Sequence, residues 1–103
     1  MRISKEKTLA DYCNLSKYKK AAESLKAWVF EVRYSNWKNA NELKSKYGNA
    51  SIISSKRVVF NIKGNSFRLV VDIEYKLEIV FIVWFGTHAE YDRIDAKTVS
   101  YEN

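Results

Sequence analysis

From Arg57 onward the side chains alternate with a period of two, and nothing else in the chain restricts its fold so tightly. Val58, Phe60 and Ile62 point one way, while Arg57, Val59, Asn61 and Lys63 point the other, as successive residues of a pleated strand must. Gly64-Asn65 is a compact turn signal, because both residues accept the left-handed backbone of a tight hairpin. The pattern then resumes, with Phe67, Leu69, Val71, Ile73 and Tyr75 opposed to Arg68, Val70, Asp72 and Glu74. Lys76–Glu78 makes a second turn, and Ile79–Phe85 is apolar on both faces, which predicts a central or well-covered strand. Three consecutive antiparallel strands follow, and the apolar face of the first two needs a cover.

The first half of the chain supplies that cover. Arg2-Ile3 is long enough only for a short edge strand. Ser4 is positioned to cap a helix running to about Leu15, with Glu6 in its first turn and Leu9, Tyr12 and Cys13 facing inward. Ser16 is positioned to cap a longer helix over Lys17–Ser35, where Ala21, Leu25, Trp28, Val29 and Val32 form an apolar stripe. Asn39 and Glu42 have the spacing of a capping box for a short helix over Ala40–Tyr47, and Gly48 suits the left-handed position after a helix end. At the other end, Thr87 and Glu90 have the same spacing and predict a helical turn directly after the third strand. The expectation is a single α+β domain over residues 1–103. Its N-terminal helices pack on one face of a three- to four-stranded antiparallel sheet, and a short helical turn closes it.

An apolar fraction of 47% is ample for a core in 103 residues. No apolar run approaches the roughly 20 residues that span a bilayer, and Met1–Lys7 is not followed by the apolar segment of a signal peptide. The single cysteine, Cys13, makes no internal disulfide and suits a reducing cytoplasm. One Cys and one His cannot furnish a zinc site, so no metal is expected. The formal charge of +6 is unevenly placed. Residues 1–50 hold eleven Lys/Arg against five Asp/Glu, and residues 51–103 hold seven against seven. A polyanionic partner and simple solubility both accommodate that excess.

Strand parity collects Arg57, Asn61, Lys63 and Arg68 on the sheet face turned away from the helices, with Asp72 as counter-charge. The one histidine, His88, follows the third strand, and Tyr91 shares its face if a helical turn begins at Thr87. RNA cleavage needs a base for the 2′-hydroxyl proton, an acid for the leaving 5′-oxygen, and cations for the phosphorane charge. An aromatic ring that stacks on a base helps to fix the in-line geometry. His88, the cations Arg57, Lys63 and Arg68, and Tyr91 match that inventory without a metal. A solvated polar face with a structural histidine has the same composition.

The stretch RVVFNIKGNSFRLVVDIEY followed by FGTHAEYDRID resembles the HigB family of bacterial toxins, RelE-like messenger-RNA interferases. MRISKEKTL, Trp37-Lys38 and LKSKYGNASII extend the likeness over nearly the whole chain. Its most specific parts are Phe60-Asn61, Asn65 and Arg68-Leu69, and Gly86-Thr87-His88 with Glu90-Tyr91-Asp92. The resemblance implies a RelE-like fold and a cytoplasmic bacterial endoribonuclease that needs no cofactor. Such an enzyme cuts mRNA on the translating ribosome, leaves a 2′,3′-cyclic phosphate and so inhibits translation and growth. It also implies a HigA-like helix-turn-helix antitoxin, and binding to operator DNA through the toxin–antitoxin complex. The resemblance makes Arg68, His88 and Tyr91 the catalytic candidates; Asn61 and Asn65, within its motif, are RNA-binding candidates, and Arg57 and Lys63 join them by strand parity and not by the motif. Two other readings use the same residues: a non-catalytic nucleic-acid-binding module, or an antitoxin-binding protein whose activity has decayed.

Overall fold

In the computed structural model, which describes residues 1–100, the chain begins with strand β1 (Arg2–Ser4) and helix α1 (Glu6–Cys13). A 3₁₀ helix (Ser16–Ala21) runs directly into α2 (Ala22–Arg33), and α3 (Ala40–Lys46) follows. Strands β2 (Ser51–Ile52), β3 (Arg57–Ile62), β4 (Phe67–Glu74) and β5 (Ile79–Thr87) come next, and a short helix α4 (His88–Tyr91) follows β5 without a break. The sheet has five strands in the order β1-β5-β4-β3-β2. β1 runs parallel to β5 and the other pairings are antiparallel. The expected α+β class holds, but the sheet is larger and mixed. β1 and β2 are three and two residues long, too short to register as an alternation, and β1 reaches β5 only through a non-local crossover.

The helices cover the predicted face. Val58, Phe60, Ile62, Phe67, Leu69, Val71 and Ile73 are buried together with Leu9, Leu25, Trp28 and Val32. Several local details depart from expectation. Ser4 belongs to β1, and α1 begins after Lys5, whose φ of 67° turns the chain with no side-chain cap. Ser16 starts the 3₁₀ helix instead of capping one long helix. The Asn39 side chain does accept from the Glu42 backbone N–H, but the Glu42 carboxylate turns to the Lys38 N–H. Gly48 does not take the left-handed position. Tyr47 ends α3 instead, its backbone N–H donating to the Leu43 carbonyl, and the Lys44 ammonium reaches past the helix end to the carbonyls of Gly48 and Ala50. In the hairpin the left-handed residues are Lys63 and Gly64, one position earlier than expected.

The other sheet face is not open. Val59, Val70 and Val83 form a second buried cluster, covered by Ile53, Trp84, Tyr91, Ala96 and Val99. A bulge adds Trp84 to it. Val70 pairs with Trp84 but Val71 pairs with Ile82, so Val83 is an extra residue in β5. Because one added residue inverts the alternation, Phe85 joins Val80 and Ile82 under the helices. Trp84 comes to the opposite face. A strict period of two would have exchanged them.

Candidate functional site

One rung of the ladder crosses three strands: Asn61 pairs with Arg68, and Arg68 with Gly86. The Arg68 guanidinium is held at this end of the sheet by the hairpin. It donates to the Asn65 side-chain oxygen at 2.6 Å, the Asn65 carbonyl at 3.2 Å and the Phe67 carbonyl at 3.1 Å. It also lies 5.8 Å from the centre of the Tyr91 ring, within reach of cation–π attraction. Tyr91 in turn rests against Trp84, with ring centres 6.2 Å apart. The bulge in β5 thus positions the wall against which Tyr91 sits.

His88 reaches the same end of the sheet from α4. Its backbone N–H donates to the Ser66 carbonyl at 3.0 Å, joining the turn to the β3–β4 hairpin. As expected, a helical turn starts after Thr87, so His88 and Tyr91 are three residues apart on one face. Asp92 Oδ2 lies 3.2 Å from His88 Nδ1. The pair orients the ring and leaves Nε2 as the nitrogen able to exchange a proton with a ligand. His88 retains 43% side-chain exposure, as a group that meets substrate must.

Glu90 anchors this turn. The capping box is complete: Thr87 Oγ1 accepts from the Glu90 N–H, and Glu90 Oε1 accepts from the Thr87 N–H at 2.9 Å. Tyr18 Oη donates to the same oxygen at 2.8 Å, and Lys17 Nζ donates to Oε2 at 2.7 Å. Burial pushes the Glu90 carboxyl up, but the hydrogen bonds from Lys17, the Thr87 backbone and Tyr18 outweigh it and hold it at about 2. Gly86 must stay small beside it. A Cβ there would stand 2.6 Å from the Trp84 ring and 2.9 Å from Glu90 Oε1.

Arg68, Asn65, Tyr91 and His88 are therefore brought together. Two of the cations grouped by strand parity are not. Arg57 sits at the other end of the β3–β4 ladder, opposite Asp72, four residues or about 13 Å along the strand from Asn61. Its guanidinium makes a two-pronged pair with Asp72 at 2.8 Å and 2.8 Å, and donates to the carbonyls of Ala96 and Val99. Only 12% of its side chain is exposed. It holds the C-terminal segment to the sheet, which corrects its assignment to an open cationic face. Lys63 is a turn residue with φ 53° and not a strand residue, so parity does not govern it. With Asn61 it lines a hollow of about 280 Å³ beside Trp28, Glu31 and Tyr47, at the outer edge of β3.

The sequence reading missed Asp92 as the partner of His88, although an i,i+4 spacing on a helical turn signals such pairs. It also missed Lys17 and Tyr18, more than 70 positions from Glu90, for which no local signal exists. Among the described residues no three His, Cys, Asp or Glu side chains gather closely enough to hold a metal ion. Nor is any described helix long and apolar enough to cross a membrane.

A family model for HigB toxins, the RelE-like toxic component of a toxin–antitoxin system, matches residues 21–94 of the 103. The chain belongs to the HigB toxin family. A search of curated proteins finds no match. The matched span of this HigB toxin runs from the start of α2 past α4 and contains Asn65, Arg68, His88, Tyr91 and Asp92. A toxin of such a system implies an antitoxin partner.

Proposed function

We propose that this HigB toxin is an endoribonuclease that cuts mRNA on the translating ribosome in the bacterial cytoplasm, and so halts translation and growth. The observation that carries the reading is the convergence of Arg68 and Tyr91 at 5.8 Å with His88 on the same turn as Tyr91. The 2′-oxygen of a ribose loses its proton and attacks the adjacent phosphorus. The 5′-oxygen of the next nucleotide then leaves and takes a proton, giving a 2′,3′-cyclic phosphate and a 5′-hydroxyl. Arg68 faces the phosphate and stabilises its growing charge. Being already fixed by Asn65 and the Phe67 carbonyl, it loses little freedom when RNA arrives. His88, oriented by Asp92, exchanges a proton through Nε2. Tyr91 stacks on a base or shares the proton transfers with His88, and Asn61 and Lys63 contact the strand beyond the hairpin. The antitoxin is a HigA-like helix-turn-helix protein, through which the complex binds operator DNA.

Inducible expression in bacteria tests this reading. The wild-type chain should arrest growth and create new 5′ ends in translated mRNA, mapped by primer extension. Arg68→Ala and His88→Ala should each relieve arrest while keeping the wild-type circular dichroism spectrum. Growth arrest without new 5′ ends would leave a binder and remove the nuclease. Undiminished cleavage in both variants would remove the site.

A further inference from the structure

The sheet half of this chain is electrically neutral, and its excess of six positive charges lies within residues 1–50. Three of the eleven cations there border a groove of about 630 Å³ between α1 and α2. Leu9, Cys13, Leu25 and Val29 form its floor, and Lys19, Lys26 and Arg33 are on its rim. Glu6 is the one acid among the lining residues, and it is already paired with Arg33 at 2.5 Å. Beside the groove, Phe30 and Tyr34 stand 64% and 79% exposed with ring centres 4.9 Å apart. Leu25, Trp28 and Val32 already satisfy the packing of α2 on the sheet, so this aromatic pair serves no core. An apolar trough with aromatic rings at one wall and cations along the rim fits an amphipathic helix with apolar anchors and acidic flanks.

We propose that this groove is the docking site for an acidic amphipathic helix of the antitoxin. The proposal rests on membership of a toxin–antitoxin family and not on the ribonuclease reading. An aliphatic floor favours a helix over a nucleic acid, whose phosphates need water or cations on every side. The groove belongs to the helical layer, whereas Tyr91 packs on the opposite sheet face. An antitoxin helix bound here leaves the Arg68–Tyr91 end uncovered and meets the toxin on separate elements.

Calorimetric titration of the full-length toxin with the purified antitoxin of its own system tests the docking. Phe30→Asp should weaken binding by roughly 100-fold, the effect of losing an aromatic anchor. Lys26→Glu should weaken it by roughly 5- to 10-fold, with a flatter salt dependence. Leu77→Asp, at a comparably exposed apolar position in the β4–β5 turn, should change nothing. Alkylation of Cys13, the one cysteine, should slow in the complex. Phe30 is solvent-exposed, so the variant should keep the wild-type circular dichroism spectrum. Wild-type-like affinity in Phe30→Asp overturns the proposal, as does an antitoxin that fails to bind the wild-type chain. A toxin that is itself a dimer dispersed by Phe30→Asp places a second copy in the groove and overturns it too. Loss of RNA binding with antitoxin affinity intact assigns the groove to nucleic acid. None of these readouts depends on cleavage, so a failed ribonuclease assignment leaves them standing.

Discussion

Replacing Arg57 with methionine keeps most of the side-chain volume and removes the cation, so it isolates what the charge does. Arg57 and Asp72 are 12% and 18% exposed and joined by two contacts of 2.8 Å. Breaking a fully buried pair costs about 3–5 kcal/mol, because the remaining charge has lost its solvent and its partner. Residual hydration here lowers that figure, while the carbonyls of Ala96 and Val99 also lose their donor. The expected loss is about 2–3 kcal/mol, a substantial share of the 5–15 kcal/mol typical of a domain this size. Urea unfolding followed by tryptophan fluorescence measures it, with Asp72→Asn and the double variant completing a cycle whose coupling should reach about 1.5 kcal/mol. Release of the C-terminal segment supplies an independent reading, since trypsin should cut at Arg93 and Lys97 faster in Arg57→Met. A loss under 0.5 kcal/mol with unchanged tryptic protection would refute the clamp and return Arg57 to the pool of ligand-binding cations.

Two further expectations separate structural from functional roles. Glu90 has a depressed folded value of about 2 against an ordinary 4.5. Its stabilising effect is therefore present above pH 4.5 and is lost as pH falls from there towards 2. Partial exposure limits the effect to about 1 kcal/mol. Thermal melts across that window should show Glu90→Gln with a flatter acid limb than wild type, and parallel limbs would contradict the assignment. Lys63 occupies a left-handed backbone that costs a residue with a Cβ about 1–2 kcal/mol. Lys63→Gly should therefore raise the urea midpoint. Its RNA-cleavage rate, measured beside it, should drop only modestly if Lys63 merely contacts the strand beyond the hairpin.

The alternation of Val58 to Ile73 was sufficient to define a hairpin, the face that the helices cover and the residues of the main core, because the pleat has a fixed period of two. The His88–Tyr91 turn was legible for a similar reason: Thr87 and Glu90 carry their capping instruction within four residues. What the sequence did not disclose was non-local. Two strands too short to alternate enlarge the sheet. One extra residue at Val83 turns Trp84 towards Tyr91, and no local preference marks where a bulge will form. The fate of the cations was decided the same way. Arg57, Lys63 and Arg68 are equivalent as members of one alternating pattern, yet one clamps the C-terminal segment and one turns a hairpin. Only Arg68 meets Tyr91. Parity determined on which side of a strand a charge emerges. Only the packing of distant segments determined whether that charge clamped the C-terminal segment, as Arg57 does, or came to lie against a tyrosine ring, as Arg68 does.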